Sequence, residues 1–211
     1  MIDVEEVVSV VDDDPSVRKG LARLLRSAGL TVETFGSAAE FLGRERNDSV
    51  GCIVLDVRMP GQDGMALQAY LAVRDVDLPI VFLTGHGDIP MTVEAMKNGA
   101  VDFLTKPVDE EVLLDAVRQA LLRHRTAQSE RLEVQVLRER VASLTPREFE
   151  VLRCVITGAL NKQIAAHLGI AEKTVKIHRA RVMEKLGVTS VAELVQTCQR
   201  VGVEAVTGLR T

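Results

Sequence analysis

Aromatic residues are scarce in this 211-residue chain, which contains no Trp, one Tyr and five Phe. Proteins that bind single-stranded nucleic acids commonly stack successive bases on exposed aromatic side chains. The near absence of Trp and Tyr therefore argues against that class of binding protein. Apolar residues nevertheless make up 46% of the chain and charged residues 27%, which predicts packed domains rather than a disordered polymer.

Cysteine is also sparse. Cys52, Cys154 and Cys198 are widely separated, and none belongs to a C-x-x-C pair or to a Cys/His set at metal-ligand spacing. This pattern excludes a disulfide framework or a zinc module as the basis of the fold. The chain also lacks long apolar runs, and it begins with acidic residues instead of the basic and apolar regions of a signal peptide. We therefore expect a soluble cytoplasmic protein without a membrane partner.

Charge is distributed unevenly along the chain. Residues 1–124 contain 21 Asp and Glu but 12 Lys and Arg, whereas residues 125–211 contain 9 acidic and 14 basic residues. An acidic first part and a basic second part indicate two domains with different tasks. The basic part is the candidate for a polyanionic partner, because Lys and Arg attract phosphates.

The first 124 residues alternate short apolar runs with helical patterns. Five runs are typical of buried strands: Val7–Val11, Thr31–Phe35, Cys52–Leu55, Ile80–Leu83 and Val101–Leu104. Helical patterns lie between and after them: Pro15–Ala28, Ala38 to about Arg44, Gly64–Arg74, Ile89–Asn98 and from Asp109 onward. Asp14 is the expected N-cap of the first helix, and Ser37-x-x-Glu40 is a capping box for the second. Strict alternation predicts an α/β domain with a doubly wound, five-stranded parallel sheet.

The region from Val108 to Thr145 contains no Gly and no Pro, so the fifth helix is expected to continue as a helical linker over residues 125–143. A solvated spacer and a short dimerising coil both remain open for this segment. Thr145-Pro146-Arg147-Glu148 combines a capping box with an N-terminal proline and predicts a new, all-helical domain over residues 144–211. His124 and His167 lack partners at ligand spacing and are interpreted as ordinary surface or helix residues.

Polar residues follow several of the predicted strands. Asp12 and Asp13 follow the first strand, Asp56 the third, Thr84 the fourth and Lys106 the fifth. The carboxyl ends of strands in a doubly wound sheet form the ligand crevice, so these side chains are expected to converge. Clustered carboxylates repel each other unless a cation intervenes, and hard oxygen ligands suit Mg²⁺, or another divalent cation such as Mn²⁺.

These residues lie in motifs that resemble the receiver domain of two-component response regulators. The matching elements are Asp12-Asp13, V-L-D-V-R-M-P-G from Val54 to Gly61, V-F-L-T-G-H-G-D from Val81 to Asp88, and G-A-V-D-F-L-T-K-P from Gly99 to Pro107. The resemblance covers residues 1–124 and implies a flavodoxin-like receiver fold.

The resemblance also implies roles for individual residues. Asp56 would be the phosphoacceptor, and Asp12, Asp13 and the backbone carbonyl of Arg58 would hold Mg²⁺ beside it. Thr84 and Lys106 would bind the phosphoryl oxygens. A bound cation would reduce the repulsion between an ionised Asp56 and the incoming phosphoryl group.

Other features of this region also follow from the resemblance. Thr84 and Phe103 would form the switch, although Phe103 also fits an ordinary core position. The Lys106–Pro107 bond is expected to be cis. Arg58 and His86 occupy the variable positions that influence phosphoryl lifetime in this family, and a solvated rim is the alternative for both.

The second domain resembles the LuxR-type DNA-binding domain. The resemblance is carried by L-T-P-R-E from Leu144, by N-K-Q-I-A-A-H-L-G-I-A-E-K-T-V-K-I-H-R from Asn161 to Arg179, and by M-E-K-L-G-V from Met183. Helical patterns cover Pro146 to about Thr157, Asn161–Leu168, Glu172–Leu186 and Val191 to about Val201, and the short break after Leu168 suits a helix-turn-helix. With the receiver motifs, the whole chain resembles the FixJ subgroup of response regulators.

Spacing in the third of these helices separates two faces. Val175, Val182 and Leu186 form a stripe that is expected to face the core. The opposite stripe consists of Lys173, Lys176, Ile177 and Ala180. It is expected to face the DNA major groove, where the bases offer hydrogen-bond acceptors and the thymine methyl group. Four flanking residues are better placed for phosphates: Lys162, Thr174, Arg179 and Arg181.

Two residues depart from the expected pattern. Ala171 replaces an N-cap Ser or Thr, which weakens the helix start by about 1 kcal/mol, and Ala180 cannot hydrogen-bond to a base. The last helix opens with the capping box Ser190-x-x-Glu193. Its apolar stripe consists of Val191, Leu194, Val195, Cys198 and Val201. This stripe either covers the core or pairs with a second protomer, and the sequence leaves both alternatives open.

The sequence thus predicts a phosphorylation-controlled transcription regulator rather than an enzyme. A histidine kinase would phosphorylate Asp56, and the phosphorylated protein would dimerise and bind double-stranded promoter DNA, with RNA polymerase as a candidate partner. Two alternatives remain. An Asp-nucleophile phosphohydrolase would need a second Asp where this chain has Arg58, and a constitutive DNA-binding module would not need the complete pocket.

Overall fold

A computed structural model describes residues 6–44, 49–74, 76–85 and 89–208 of the chain. The chain divides into two compact units, Met1–Gln128 and Ser129–Thr211. The division lies inside a long helix, close to the start of the predicted linker. The proposed domain limits at residues 124 and 144 stay predictions. Within the ranges given above, every helix is too short or too polar to cross a lipid bilayer.

The first unit contains a five-stranded parallel sheet with the strand order β2-β1-β3-β4-β5. Its strands are β1 (Glu6–Val11), β2 (Thr31–Phe35), β3 (Val50–Asp56), β4 (Ile80–Thr84) and β5 (Asp102–Thr105). β3 is buried throughout and pairs with β1 and β4, which explains its continuous apolar sequence. The predicted doubly wound α/β fold is confirmed, and its strand limits were predicted to within two residues.

Helices cover both faces of this sheet. They are α1 (Pro15–Ser27), α2 (Ala38–Leu42), α3 (Gly64–Val73), α4 (Ile89–Lys97) and α5 (Glu110–Ala142). On one face Leu25 of α1 and Val117 of α5 join a core with Val54 of β3. On the other face Leu67 of α3 joins a second core with Phe82 of β4. Alternating strand residues therefore supply two separate cores.

Side-chain caps define several helix starts. Asp14 Oδ1 accepts a hydrogen bond from the Ser16 N–H at 2.7 Å, as predicted. Ser37 Oγ accepts from the Glu40 N–H at 3.1 Å, but the Glu40 carboxylate binds the N–H of Gly36 instead of that of Ser37. The predicted capping box is therefore only half formed, and the glutamate reaches one residue further back.

Besides the end of α5, the described part of the second unit contains four helices around one core. They are α6 (Pro146–Val155), α7 (Asn161–Leu168), α8 (Glu172–Leu186) and α9 (Val191–Val201). The predicted capping box at Thr145 and Glu148 forms completely. The buried Glu148 carboxylate also accepts a hydrogen bond from Lys185 Nζ at 2.7 Å, which joins the start of α6 to the end of α8.

The last part of α5, from residue 129, belongs to this second unit. Val141 of the predicted linker and the following Leu144 pack against its core, whereas most of the linker residues before Val141 are exposed. One expectation for α5 is wrong in part. His124 is buried, and its Nδ1 accepts a hydrogen bond from the Gly51 N–H at 2.8 Å, so it is not a surface residue.

Candidate functional site

Three carboxylates meet at the carboxyl end of the sheet. Asp12 directly follows β1 and Asp56 ends β3, and the register pairs Val11 with Leu55, so the two acidic residues lie beside each other. Asp12 and Asp56 are buried, whereas Asp13 is exposed. Oxygen atoms of all three lie within 4.8 Å of one another. The predicted convergence of these residues is confirmed.

Lys106 reaches into this cluster from the segment after β5. Its Nζ donates to Asp12 Oδ2 at 2.6 Å and to Asp56 Oδ2 at 3.0 Å. Its backbone N–H donates to the carbonyl of Thr84 at 2.7 Å, which ties this segment to the end of β4. The Lys106–Pro107 peptide bond is cis, as predicted. One ammonium group thus contacts two of the three carboxylates.

Burial controls the ionisation of this cluster. Burial raises the pKa of Asp56 above its ordinary value, and the hydrogen bond from Lys106 only partly counteracts this. Burial lowers the pKa of Lys106, but its hydrogen bonds to Asp12 and Asp56 outweigh that effect and leave the pKa raised. Lys106 is therefore a stable cation.

Three carboxylates facing a single ammonium group leave an excess of negative charge. An all-oxygen ligand set of this kind suits a hard divalent cation such as Mg²⁺. Asp13 is exposed, so the cluster is open to solvent on its side. The residues present therefore fit a resident divalent cation.

The structure places the predicted switch residues on neighbouring strands. Thr84 is buried at the end of β4, and β4 pairs with β5 so that Phe82 lies opposite Phe103. The Phe103 ring is half-buried, and its centroid lies 5.8 Å from that of Phe82. Phe103 thus borders the core without being enclosed by it. The switch roles of Thr84 and Phe103 stay predictions.

The structure also locates Arg58. Its side chain is exposed, and its backbone N–H lies 3.4 Å from Asp56 Oδ1. The role of its carbonyl as a metal ligand stays a prediction. His86 lies outside the described residues.

The support of Asp56 includes a residue that the sequence analysis did not single out. Asp63 caps α3 by accepting from the Ala66 N–H at 2.7 Å, and Gly64 N–H donates to the Val57 carbonyl at 2.9 Å. A Cβ on Gly64 would lie 2.4 Å from the carbonyl oxygen of Asp56. Only glycine fits here, because the start of α3 lies against the acceptor backbone. The D-G pair before a helical pattern was the available signal.

Helix α8 has the two faces that its spacing predicted. Val175, Val182 and Leu186 are buried in the core of the second unit. The opposite residues are exposed, including Ile177 at 46%, and we call them the exposed α8 face: Lys173, Lys176, Ile177 and Ala180. Lys176 lies 3.5 Å from Glu172, one turn earlier. Contact of this face with DNA stays a prediction.

The residues that flank this face differ in their surroundings. Lys162 and Arg181 are exposed, and Thr174 is half-buried. Arg179 is also half-buried, and its Nη1 donates to Asn161 Oδ1 at 3.2 Å at the start of α7. Arg179 was expected to flank the face only as a phosphate contact. The structure adds that it connects α8 to α7.

The last helix contributes to the core. Leu194 and Cys198 are buried with the other core residues, and Val191 packs against them. Of the two alternatives for this stripe, the core position thus applies to these three residues. Ser190 caps α9 by accepting from the Glu193 N–H at 3.2 Å, and the Glu193 carboxylate binds the backbone N–H of Thr189 instead of that of Ser190. This predicted capping box is also half formed.

Comparisons with known proteins cover both units. Residues 8–118 match the model of the response regulator receiver domain, and residues 142–198 match that of the bacterial regulatory proteins of the luxR family. Nodulation protein W of Bradyrhizobium diazoefficiens is 49% identical over 94% of this chain and 88% of its own length. The transcriptional regulatory protein FixJ of Azorhizobium caulinodans is 46% identical over 93% of each chain.

Solved structures agree with these matches. The structure of the response regulator StyR superposes with a TM-score of 0.84 and 52% identity, over 93% of this chain and 99% of that chain. The resemblance drawn from the sequence motifs is therefore confirmed along the length of the protein. The chain belongs to the two-component response regulators that act on transcription, with a receiver domain and a LuxR-type DNA-binding domain.

Proposed function

We propose that Asp56 accepts a phosphoryl group from a sensor histidine kinase and that this modification controls binding to promoter DNA. The observation that carries the proposal is the pocket in which Lys106 contacts both Asp12 and Asp56. A carboxylate oxygen of Asp56 attacks the phosphorus of the kinase phosphohistidine. An O–P bond forms, the N–P bond breaks, and the kinase histidine leaves. The protein would encounter both the kinase and the promoter DNA in the cytoplasm.

The residues around Asp56 would have different roles in this phosphoryl transfer. Asp12, Asp13, Asp56 and the Arg58 carbonyl would hold Mg²⁺ or Mn²⁺, and the cation would neutralise charge on the transferring phosphoryl group. Lys106 is already placed on Asp56 Oδ2 and would keep one phosphoryl oxygen in place as a point charge. The buried Thr84 hydroxyl would bind a second oxygen. Its movement would let Phe103 turn inward.

The output of this switch would be dimerisation through α4 and β5. Support comes from α4, which exposes three large apolar residues although it belongs to a packed domain: Ile89 at 81%, Val93 at 44% and Met96 at 44%. Clustered exposed apolar side chains commonly mark a protein interface. A dimer would present two α8 helices to two half-sites of a promoter, where RNA polymerase is a further candidate partner.

The DNA contacts would come from the second domain. Lys173, Lys176, Ile177 and Ala180 would enter the major groove, since their side chains are exposed on one helix face. Lys162, Thr174, Arg179 and Arg181 would contact phosphates. The net positive charge of residues 125–211 supports a polyanionic partner.

The deciding experiment is labelling with a small acyl phosphate, followed by peptide mass spectrometry of the full-length chain. We expect a phosphoryl group on Asp56 alone, and only when a divalent cation is present. Asp56→Asn should abolish labelling, whereas the control Asp115→Asn, on the exposed surface of α5, should leave it unchanged. Equal labelling of Asp56→Asn, or labelling in the presence of a chelator, would contradict the proposal.

A second experiment tests the output. Sedimentation of the labelled and unlabelled protein should show a shift from monomer to dimer, and footprinting on genomic DNA should show stronger protection after labelling. An unchanged monomer–dimer balance would refute the proposed coupling between the acceptor pocket and α4.

A further inference from the structure

Helix α1 borders a groove that the proposed phosphotransfer does not use. The groove has a volume of about 450 Å³ and lies between α1 and the edge strand β2. It is lined by Pro15, Arg18, Lys19, Ala22, Arg23, Arg26 and Thr34, and we call it the α1 groove. Volumes of this size are typical of small-molecule sites.

The lining residues of α1 follow the spacing of a single helix face. They recur at intervals of three and four residues from Pro15 to Arg26, the pattern that usually carries apolar residues toward a partner. Four of these positions are basic, and α1 contains no acidic residue: Arg18, Lys19, Arg23 and Arg26. This concentration of positive charge lies in a domain whose net charge is strongly negative. The groove therefore differs in sign from the rest of the receiver domain.

Two of the four cations are held in place by the domain itself. Arg18 Nη1 donates to the Asp12 carbonyl at 2.6 Å, and Arg26 Nη2 donates to the Val32 carbonyl at 2.9 Å. Each guanidinium carries five N–H donors, so further donors remain for a ligand. Anchored guanidinium groups lose little side-chain entropy on binding, and their planar geometry matches phosphate oxygens.

The other two basic side chains of the groove are Lys19 and Arg23. Among the described residues, Lys19 and Arg23 form no ion pair with an acidic side chain, and both are exposed. Acidic side chains also lie at the Arg18 end of the groove. Asp14 caps α1 by accepting a hydrogen bond from the Ser16 N–H at 2.7 Å, and the Glu40 carboxylate accepts one from the Gly36 N–H at 2.6 Å. Lys19 and Arg23 are thus available to neutralise a ligand of high negative charge.

The length of the stripe indicates the kind of ligand. Arg18 and Arg26 are eight residues apart, which corresponds to roughly 12 Å along the helix. A single phosphate cannot contact side chains over that whole distance, but a chain of phosphate groups can. Pro15 is exposed and adds apolar surface beside the cations, on which a nucleoside could rest.

We propose that the α1 groove binds a small molecule with several phosphate groups, either inorganic polyphosphate or a nucleoside polyphosphate. A concave site of this volume favours a small ligand over a flat protein surface. Charge-assisted hydrogen bonds from Arg18 and Arg26 would position the phosphates, and Lys19 and Arg23 would supply further charge.

The test is calorimetric titration of the full-length chain with inorganic tripolyphosphate and with ATP, at low ionic strength and in the presence of a chelator. We expect one ligand per chain at the α1 groove. The double variant Lys19→Ala/Arg23→Ala should weaken binding at least tenfold. It should fold normally, because alanine favours helices and neither side chain makes an ion pair in the described structure.

Two control variants isolate the groove. Arg118→Ala/Arg123→Ala removes two exposed cations from α5 of the same domain and should bind both ligands as the unmodified chain does. Lys173→Ala/Lys176→Ala removes cations from the exposed α8 face and should also retain binding at the groove. The two ligands identify the source: at least tenfold tighter binding of ATP supports a nucleotide, and equal binding supports inorganic polyphosphate.

Two results would overturn the proposal. The first is that neither ligand binds the unmodified chain. If the groove variant then also no longer accepts phosphate from a histidine kinase, the groove is a protein docking surface instead. The second is that Lys19→Ala/Arg23→Ala loses no more affinity than the Arg118→Ala/Arg123→Ala control.

Discussion

Replacing Lys106 by methionine tests how the receiver domain holds its acidic cluster together. The ammonium group of Lys106 lies 2.6 Å from Asp12 Oδ2 and 3.0 Å from Asp56 Oδ2, and both carboxylates are buried. Methionine preserves much of the length and apolar contact of the lysine chain but removes its charge. We expect the receiver domain to lose stability, because two buried carboxylates would face each other without a cation.

The distances set the size of this loss. Two unit charges 4.8 Å apart, the upper limit for the carboxylate oxygens, repel each other by about 3.5 kcal/mol at an effective dielectric constant of about 20. Removing one partner from a buried ion pair typically costs about 3–5 kcal/mol. The Lys106 side chain is 22% exposed, so water reduces the effect and the lower limit applies. We expect a loss of about 3 kcal/mol.

The composition of the chain provides a selective assay. Tyr70 on α3 is the single tyrosine and tryptophan is absent, so intrinsic fluorescence excited in the tyrosine band reports on the first domain. Urea unfolding of the full-length chain can thus be followed for this domain alone. With a slope of about 2 kcal/mol per M, the loss lowers the urea midpoint by about 1.5 M.

Comparing the unfolding of Lys106→Met with and without a divalent cation tests the electrostatic account and the metal site separately. The loss should be largest in the presence of a chelator and smaller with Mg²⁺, because a bound cation would replace part of the missing charge. The control Lys97→Met removes an exposed lysine from α4 and should leave the midpoint unchanged. An unchanged midpoint for Lys106→Met in the chelator would refute the electrostatic account. The same loss with and without Mg²⁺ would refute the proposed metal site.

Three further predictions follow from contacts described above. Gly64→Ala should destabilise the receiver domain by about 1–3 kcal/mol and slow the labelling of Asp56, because the new Cβ would lie 2.4 Å from the Asp56 carbonyl oxygen. Tyrosine-detected unfolding measures the loss of stability, and mass spectrometry measures the labelling. The hydrogen bond from Lys185 lowers the pKa of Glu148 to about 2. The second domain should therefore lose stability as the pH falls from the ordinary carboxyl pKa near 4.5 toward 2, and circular dichroism measures this loss. Lys176→Ala should change the ratio of specific to non-specific DNA affinity, whereas Arg179→Ala should weaken both alike and reduce the salt slope by about one.

Each of these has a matched control. Gly20→Ala on α1 should be neutral or stabilising, because a Cβ there meets no described atom within 4 Å. Glu148→Gln should reduce the acid-dependent loss but not remove it, because hydrogen bonds from Thr189 also lower the pKa of Glu193 in the same domain. An undiminished loss would assign the effect to groups other than Glu148. Asn161→Ala removes the partner of Arg179 without removing a charge. If it reduces the salt slope as much as Arg179→Ala does, the phosphate contact is wrong.

The fold was largely predictable because its signals are local. Continuous apolar runs marked the strands, and the limits of Thr31–Phe35 were predicted without error. The acidic cluster was predictable for a similar reason, since its residues lie at or just after the ends of strands and parallel strands end at one edge. The resemblance to the receiver domain then implied the roles proposed for Asp56 and Lys106.

The features that were missed depend on contacts between distant residues. His124 lies in a polar stretch, and nothing near it in the sequence indicates the hydrogen bond from Gly51. Nothing in the sequence marks Arg18 or Arg26, whose long side chains reach backbone carbonyls outside α1. Rotamers of long side chains are selected by tertiary surroundings, so a linear pattern does not specify them.

Helix α8 is attached to the rest of its domain by hydrogen bonds at three residues of its second half. Lys185 binds Glu148, Arg140 Nη1 donates to the Leu186 carbonyl at 3.2 Å, and Arg179 binds Asn161. A helix held in this way has little conformational entropy left to lose when it enters a groove. DNA binding should therefore resemble rigid-body docking, with a heat-capacity change set by the contact area and without the larger change that accompanies coupled folding.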